Sequence, residues 1–190
     1  MKKKIFLLFA ALAIVFANVV VQADCPTDIY CDGPFTGTVS YDGCDYDYVY
    51  CLCINNENFH EVVLTDIIVR YPCNGDNFEL KKGLITDNIL IDIAKSGNIE
   101  TCWSVDIPEC PDALCMVRWR DAICYDPERW DYDSTTCKWY MHKCDNELRS
   151  CGETIYICWE LINNEIVYNI TRSGRQYGPE CTDPCTTNCE

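Results

Sequence analysis

The chain has 190 residues, of which 30 are acidic, 15 are Lys or Arg and 17 are cysteine. Its acidic balance argues against nucleic acid or an anionic membrane as a partner. Five Trp, twelve Tyr and several Ile/Val runs argue against disorder.

Residues 1–23 read as a cleavable signal peptide. Lys2, Lys3 and Lys4 form a positive start, an almost purely apolar stretch runs from Ile5 to Phe16, and Ala23 supplies a small residue at the cut. No later stretch is long and apolar enough for a membrane-spanning helix. Residues 24–190 then form a single cysteine-rich β domain, with 12 basic residues against 30 acidic ones once the three leader lysines are removed. All 17 cysteines lie beyond the leader, and export predicts oxidised pairs in an extracellular or periplasmic compartment. An odd count leaves at least one cysteine buried, blocked or joined to another chain by an intermolecular disulfide.

Residues 36–41 and 46–54 read as strands around a tight Asp42-Gly43 turn, followed after 55–58 by a third strand over 59–71. One short helix is expected over 84–94. Asp87 would cap it, and Ile85, Ile89 and Ile93 fall on one face with Leu90 and Ala94. Residues 99–107 and 114–119 read as strands, and 125–134 as a polar, aromatic loop. A second meander is expected over 136–142, 154–162 and 166–171, with Asn163-Asn164 as its tight turn. The expected fold is therefore mainly β and disulfide-rich, with two antiparallel three-stranded meanders and one short helix between them. They would form a sandwich or two small packed sheets.

The stretches 36–73 and 137–181 look like duplicated halves. Cys44 and Cys51 match Cys151 and Cys158 in spacing, and each pair is followed by an asparagine pair and a β-branched strand. Cys137, Cys144, Cys151 and Cys158 recur every seven residues around the polar segment 145–150. A hairpin turning there would pair Cys144 with Cys151 and Cys137 with Cys158. Cys53 has no counterpart in the second half, so it is the first candidate for the unpaired residue, and Cys189 near the end is the second.

Candidate chemistry is sparse. His60 and His142 lie in expected strands, and no Gly-x-Ser-x-Gly elbow or Cys-x-x-Cys pair occurs. Cys181, Cys185 and Cys189 are spaced for a metal only on a helix, which their neighbours disfavour. Asp126, Glu128, Asp131 and Asp133 share one loop and are the calcium candidates, without matching an EF-hand; no other cofactor is indicated. Tyr46, Tyr48 and Tyr50 alternate on one strand face opposite Asp45 and Asp47. With Trp119 and Trp130 they are the candidate binding residues for a protein or glycan, the competing reading being ordinary core. The leading expectation is a noncatalytic, secreted structural or surface-associated protein. A binding module using the Tyr and Trp side chains is the alternative, and a secreted hydrolase comes third.

Overall fold

The computed structural model describes residues 25–26, 30–54, 60–96, 107–111, 115–121, 124–144, 151–176, 181 and 185–186. The leader at 1–23, the turn at 55–58, residues 99–106 of the strand expected over 99–107, the segment 145–150 and Cys189 lie outside them.

The strands are β1 (Tyr30–Tyr41), β2 (Cys44–Ile54), β3 (His60–Arg70), β4 (Cys115–Asp121), β5 (Tyr125–Asp133), β6 (Lys138–Lys143), β7 (Cys151–Ile162) and β8 (Glu165–Gln176). Between β3 and β4 lies one helix, α1 (Gly75–Lys95). The protein is mainly β, with one helix and six disulfides among the described residues.

β1, β2 and β3 form the expected antiparallel meander. Asp42 and Gly43 both adopt positive φ (51° and 78°), as a two-residue hairpin turn requires. Asn163 and Asn164 do the same between β7 and β8 (53° and 69°).

Beyond β3 the sheet forks. The first half of β3 pairs in parallel with β4 (Glu61↔Arg118 to Leu64↔Asp121). Its last residues pair antiparallel with β6 (Ile68↔Tyr140 to Arg70↔Lys138). One arm continues β4–β7–β8 and the other β6–β5. The two arms and α1 enclose the main core in a sandwich-like arrangement. The fork corrects the second meander: β7 and β8 pair as expected, but β6 lies between β3 and β5, and β4 occupies the edge of β7. The stretch 125–134 is largely a strand, because Tyr125 and Trp130 turn toward the core and β6 pairs with it.

The core lies on one face of the sheet. Tyr46, Tyr48 and Tyr50 from β2 and Val62, Leu64, Ile67 and Val69 from β3 pack with Phe78, Ile85, Ile89, Leu90 and Ile93 of α1. Burying each of these large side chains stabilises the fold by roughly 1.5–3 kcal/mol. The helical face is the expected one, but α1 is 21 residues long and starts earlier. Asn74 caps it in a reciprocal box with Asn77, so the first turn begins at Gly75. Trp130 lies directly against Gly75, where a Cβ would fall 2.2 Å from the indole ring. Two strand tyrosines bond helix carboxylates: Tyr48 donates to Asp92 Oδ2 (2.6 Å) and Tyr125 to Glu79 Oε2 (3.1 Å). Burial pushes the Glu79 carboxyl above its usual range, against the opposing pull of the Tyr125 hydroxyl.

The opposite face carries a second, covalent layer. Cys51 and Cys53 point there with Val63, and Cys25 and Cys31 cover them through the bridges Cys25–Cys51 and Cys31–Cys53. Further along it, Asp47 accepts from Thr38, Arg70 Nε (3.0 Å) and Lys138 Nζ (2.8 Å). Burial alone would raise the Asp47 carboxyl, but these bonds outweigh it and hold the group below its usual range.

The heptad disulfides do not form. Cys144 bonds Cys185 and Cys158 bonds Cys110, while Cys137 is free. β6 and β7 belong to different arms, so a hairpin register cannot join them. Cys53 is bonded as well, because Cys31 stands directly opposite it in the β1–β2 register. The stretches compared as duplicated halves both contain a hairpin, β2–β3 and β7–β8. Cys73, 22 residues after Cys51, bonds Cys44, whereas Cys181, 23 residues after Cys158, bonds Cys124.

Candidate assembly site around Cys137

Cys137 ends the turn between β5 and β6. Asp133 organises that turn by accepting from the Thr135 backbone N–H (2.8 Å) and the Thr136 hydroxyl (2.8 Å). These bonds hold the Asp133 carboxyl below its usual range. Cys137 itself has φ +56°, a left-handed conformation that lifts its side chain out of the strand that follows. Its carbonyl accepts from the Tyr71 N–H (3.1 Å), fixing the turn to the end of β3.

The Tyr132 side chain lies beside the thiol. Tyr132 lies 4.7 Å from Trp139 between ring centroids, and both Tyr132 and Tyr71 are exposed. Contact with Cys137 is the main reason the Tyr132 hydroxyl is pushed above its usual pKa. The thiol is therefore open to solvent, held on a fixed turn and bordered by Tyr132.

The other cysteines with described side chains are all committed. Cys25, Cys31, Cys44, Cys51, Cys53, Cys73, Cys110, Cys124, Cys144, Cys158, Cys181 and Cys185 make the six bridges. Two of these, Cys124–Cys181 and Cys144–Cys185, fasten the C-terminal stretch to the ends of β5 and β6. Thr186 adds a reciprocal backbone pair with Tyr125 (2.9 Å each way). This cross-link density fits an oxidising, non-cytoplasmic environment.

Family models, curated proteins and solved structures give no match to this chain. The site therefore rests on its own geometry.

That geometry removes most of the expected binding face. Tyr46, Tyr48 and Tyr50 are 1–3% exposed and belong to the core, because α1 covers the face on which they alternate. Trp130 is partly buried against Phe78, at 5.6 Å between ring centroids. Trp119 sits in β4, paired with Val62 and Glu153, and its side chain lies outside the described set. Tyr71 and Tyr132 do reach the surface, as Tyr30 does on β1. The signal for Tyr132 was the alternation of Trp130, Tyr132, Trp139 and Met141 about a Ser-Thr-Thr turn, and Tyr71 carried none.

The calcium candidates do not converge. Asp126 accepts from the Glu128 N–H (3.0 Å), Asp133 organises its turn, and Asp131 Oδ2 lies 2.7 Å from His142 Nδ1. Among the described residues no group of three or more His, Cys, Asp or Glu side chains is placed to hold a metal. The His142–Asp131 pair is the nearest approach to catalytic geometry, and among the described residues no hydroxyl or thiol is hydrogen-bonded to that ring. The His60 side chain lies outside the described set.

Proposed function

We propose that this protein is a noncatalytic, secreted structural or surface-associated protein, a disulfide-held β body joined to a neighbouring chain through Cys137. The observation that carries the reading is the exposed, unpaired Cys137 on a rigid turn, in a chain whose other described sulfurs are bridged. The apolar leader at 1–23 and the cysteine density support export. Two Cys137 thiols on separate chains form one S–S bond, releasing two protons and two electrons to a small-molecule disulfide or to oxygen outside the cell.

Non-reducing denaturing electrophoresis of exported protein tests this. A species at twice the chain mass is expected, lost on adding dithiothreitol and absent from Cys137→Ser. Monomer only in the unmodified protein, or a covalent dimer persisting in Cys137→Ser, contradicts the reading.

A second reading, an extracellular module binding a protein or glycan, is favoured by exposed Tyr71 and by Tyr132 against Trp139. It uses the same surface, with recognition in place of covalent linkage.

A further inference from the structure

We infer that β8 is the surface on which a second copy of this chain docks, strand against strand and antiparallel. The inference rests on the assembly reading above, but it concerns the opposite arm of the sheet and does not need Cys137.

An edge strand presents a row of unpaired backbone N–H and C=O groups, and proteins commonly blunt such edges with proline, bulges or charge. Among the described residues β1, β5 and β8 form the edges of this sheet. β1 is broken at Gly33-Pro34, where its register with β2 shifts between Asp32 and Phe35. β5 contains Pro127, and its register with β6 shifts between Asp126 and Trp130. β8 has no proline and stays in register with β7 without interruption from Glu165↔Ile162 to Ser173↔Thr154. Only past that run does Gly174, at φ +64°, absorb a bulge.

Charge selects the same strand. β1 carries one acid and no base, and β5 carries four acids and one arginine. β8 carries one acid, Glu165, at its start and two arginines toward its end, Arg172, which is already bonded to Glu153 and Asp87, and Arg175. In a chain with twice as many acids as bases, this is the edge where a second copy meets least repulsion. Antiparallel self-pairing sets Glu165 of each strand toward the Arg175 end of its mate. Parallel pairing would align like charges.

The apolar pattern agrees. Ile155 and Ile157 of β7 lie in the core, and the same face runs on to Leu161, opposite Ile166, where both are exposed (60% and 56%). Ile162 and Val167 are exposed on the other face. The hairpin thus carries its apolar stripes beyond the end of β4, which pairs with β7 only as far as Ile157. A two-fold mate would extend the sheet through β8 and close the contact at a dimer.

The test uses full-length exported protein carrying Cys137→Ser, so that only non-covalent association is read. Sedimentation equilibrium is expected to show a concentration-dependent dimer. Ile166→Lys with Val167→Lys should weaken it at least tenfold, at side chains whose exposure leaves the fold intact by near-ultraviolet circular dichroism. In the parent protein, amides within 165–173 should exchange more slowly as concentration rises, a readout that stands even if the lysine variant folds poorly. A monomer at all concentrations, an undiminished dimer in the lysine variant, or unchanged exchange in 165–173 would overturn the inference. So would a monomer that binds phosphatidylcholine vesicles through Ile166 and Val167, which would assign the hairpin to a lipid surface. A covalent Cys137 dimer with no association in Cys137→Ser sinks β8 pairing alone, while association without any covalent dimer sinks the Cys137 reading alone.

Discussion

Arg172→Ala is expected to destabilise the protein by about 3 kcal/mol, a large share of the 5–15 kcal/mol typical of a domain. Arg172 reaches from β8 under α1. One guanidinium nitrogen donates to Glu153 Oε2 (2.6 Å) and another to Asp87 of the helix. Burial by itself would lower the pKa of this guanidinium, and the two carboxylates outweigh it. The Glu153 side chain is only 4% exposed, so alanine removes the Arg172 cation from a buried carboxylate and one tie between the helix and the β7–β8 arm. Pairing Arg172→Met with Glu153→Gln should recover most of the loss, because no buried charge is then left behind. Urea unfolding of the parent and the two variants provides the comparison. A loss under about 0.5 kcal/mol for Arg172→Ala would mark the group as an ordinary surface ion pair.

The second large effect is expected at the Cys44–Cys73 bridge. Cys44 opens β2 just after the Asp42-Gly43 turn and is buried in the core, and Cys73 immediately precedes the Asn74 helix cap. The bridge spans 29 residues and fixes the start of α1 onto the sheet. Removing it by Cys44→Ala with Cys73→Ala should cost about 3–4 kcal/mol through restored unfolded-chain freedom. For a domain of this size that corresponds to a midpoint lower by roughly 10 °C. The double variant avoids a stray thiol. A thermal midpoint within about 2 °C of the parent would show that core packing against α1 holds the helix start without the bridge.

Short-range chemistry was the most legible part of this chain. The Asp42-Gly43 and Asn163-Asn164 turns, the alternation along β2 and the apolar face of α1 follow from local rules and appear as expected. Even the helix start lay in a local motif, since Asn74 and Asn77 cap each other across one turn, but an Asn-Gly-Asp sequence reads equally well as loop. Alternation of Tyr46, Tyr48 and Tyr50 placed them on one face without saying which face α1 covers, so core and binding surface were indistinguishable.

Long-range pairing was illegible for a specific reason. Equal spacing of Cys137, Cys144, Cys151 and Cys158 suggested one hairpin, yet the fork at β3 sends β6 and β7 into different arms. Cys110 and Cys185 thereby become neighbours of Cys158 and Cys144. Cys53 met a partner that strand register alone supplies, because Cys31 falls opposite it only once β1 is extended back past Pro34. Cys51 and Cys53, two apart on one strand, share a face. Each is bridged separately to the N-terminal stretch.

The central claim is that cross-links between strands far apart in sequence hold this β body together and leave Cys137 outside the set. The most direct measurement is peptide mapping of exported protein, alkylated without reduction and digested under conditions that prevent disulfide exchange. The predicted result is recovery of Cys25–Cys51, Cys31–Cys53, Cys44–Cys73, Cys110–Cys158, Cys124–Cys181 and Cys144–Cys185, with Cys137 alkylated in monomer and joined to Cys137 of another chain in dimer. Alkylation of most of those twelve sulfurs, or Cys137 in an intrachain bridge, would contradict it.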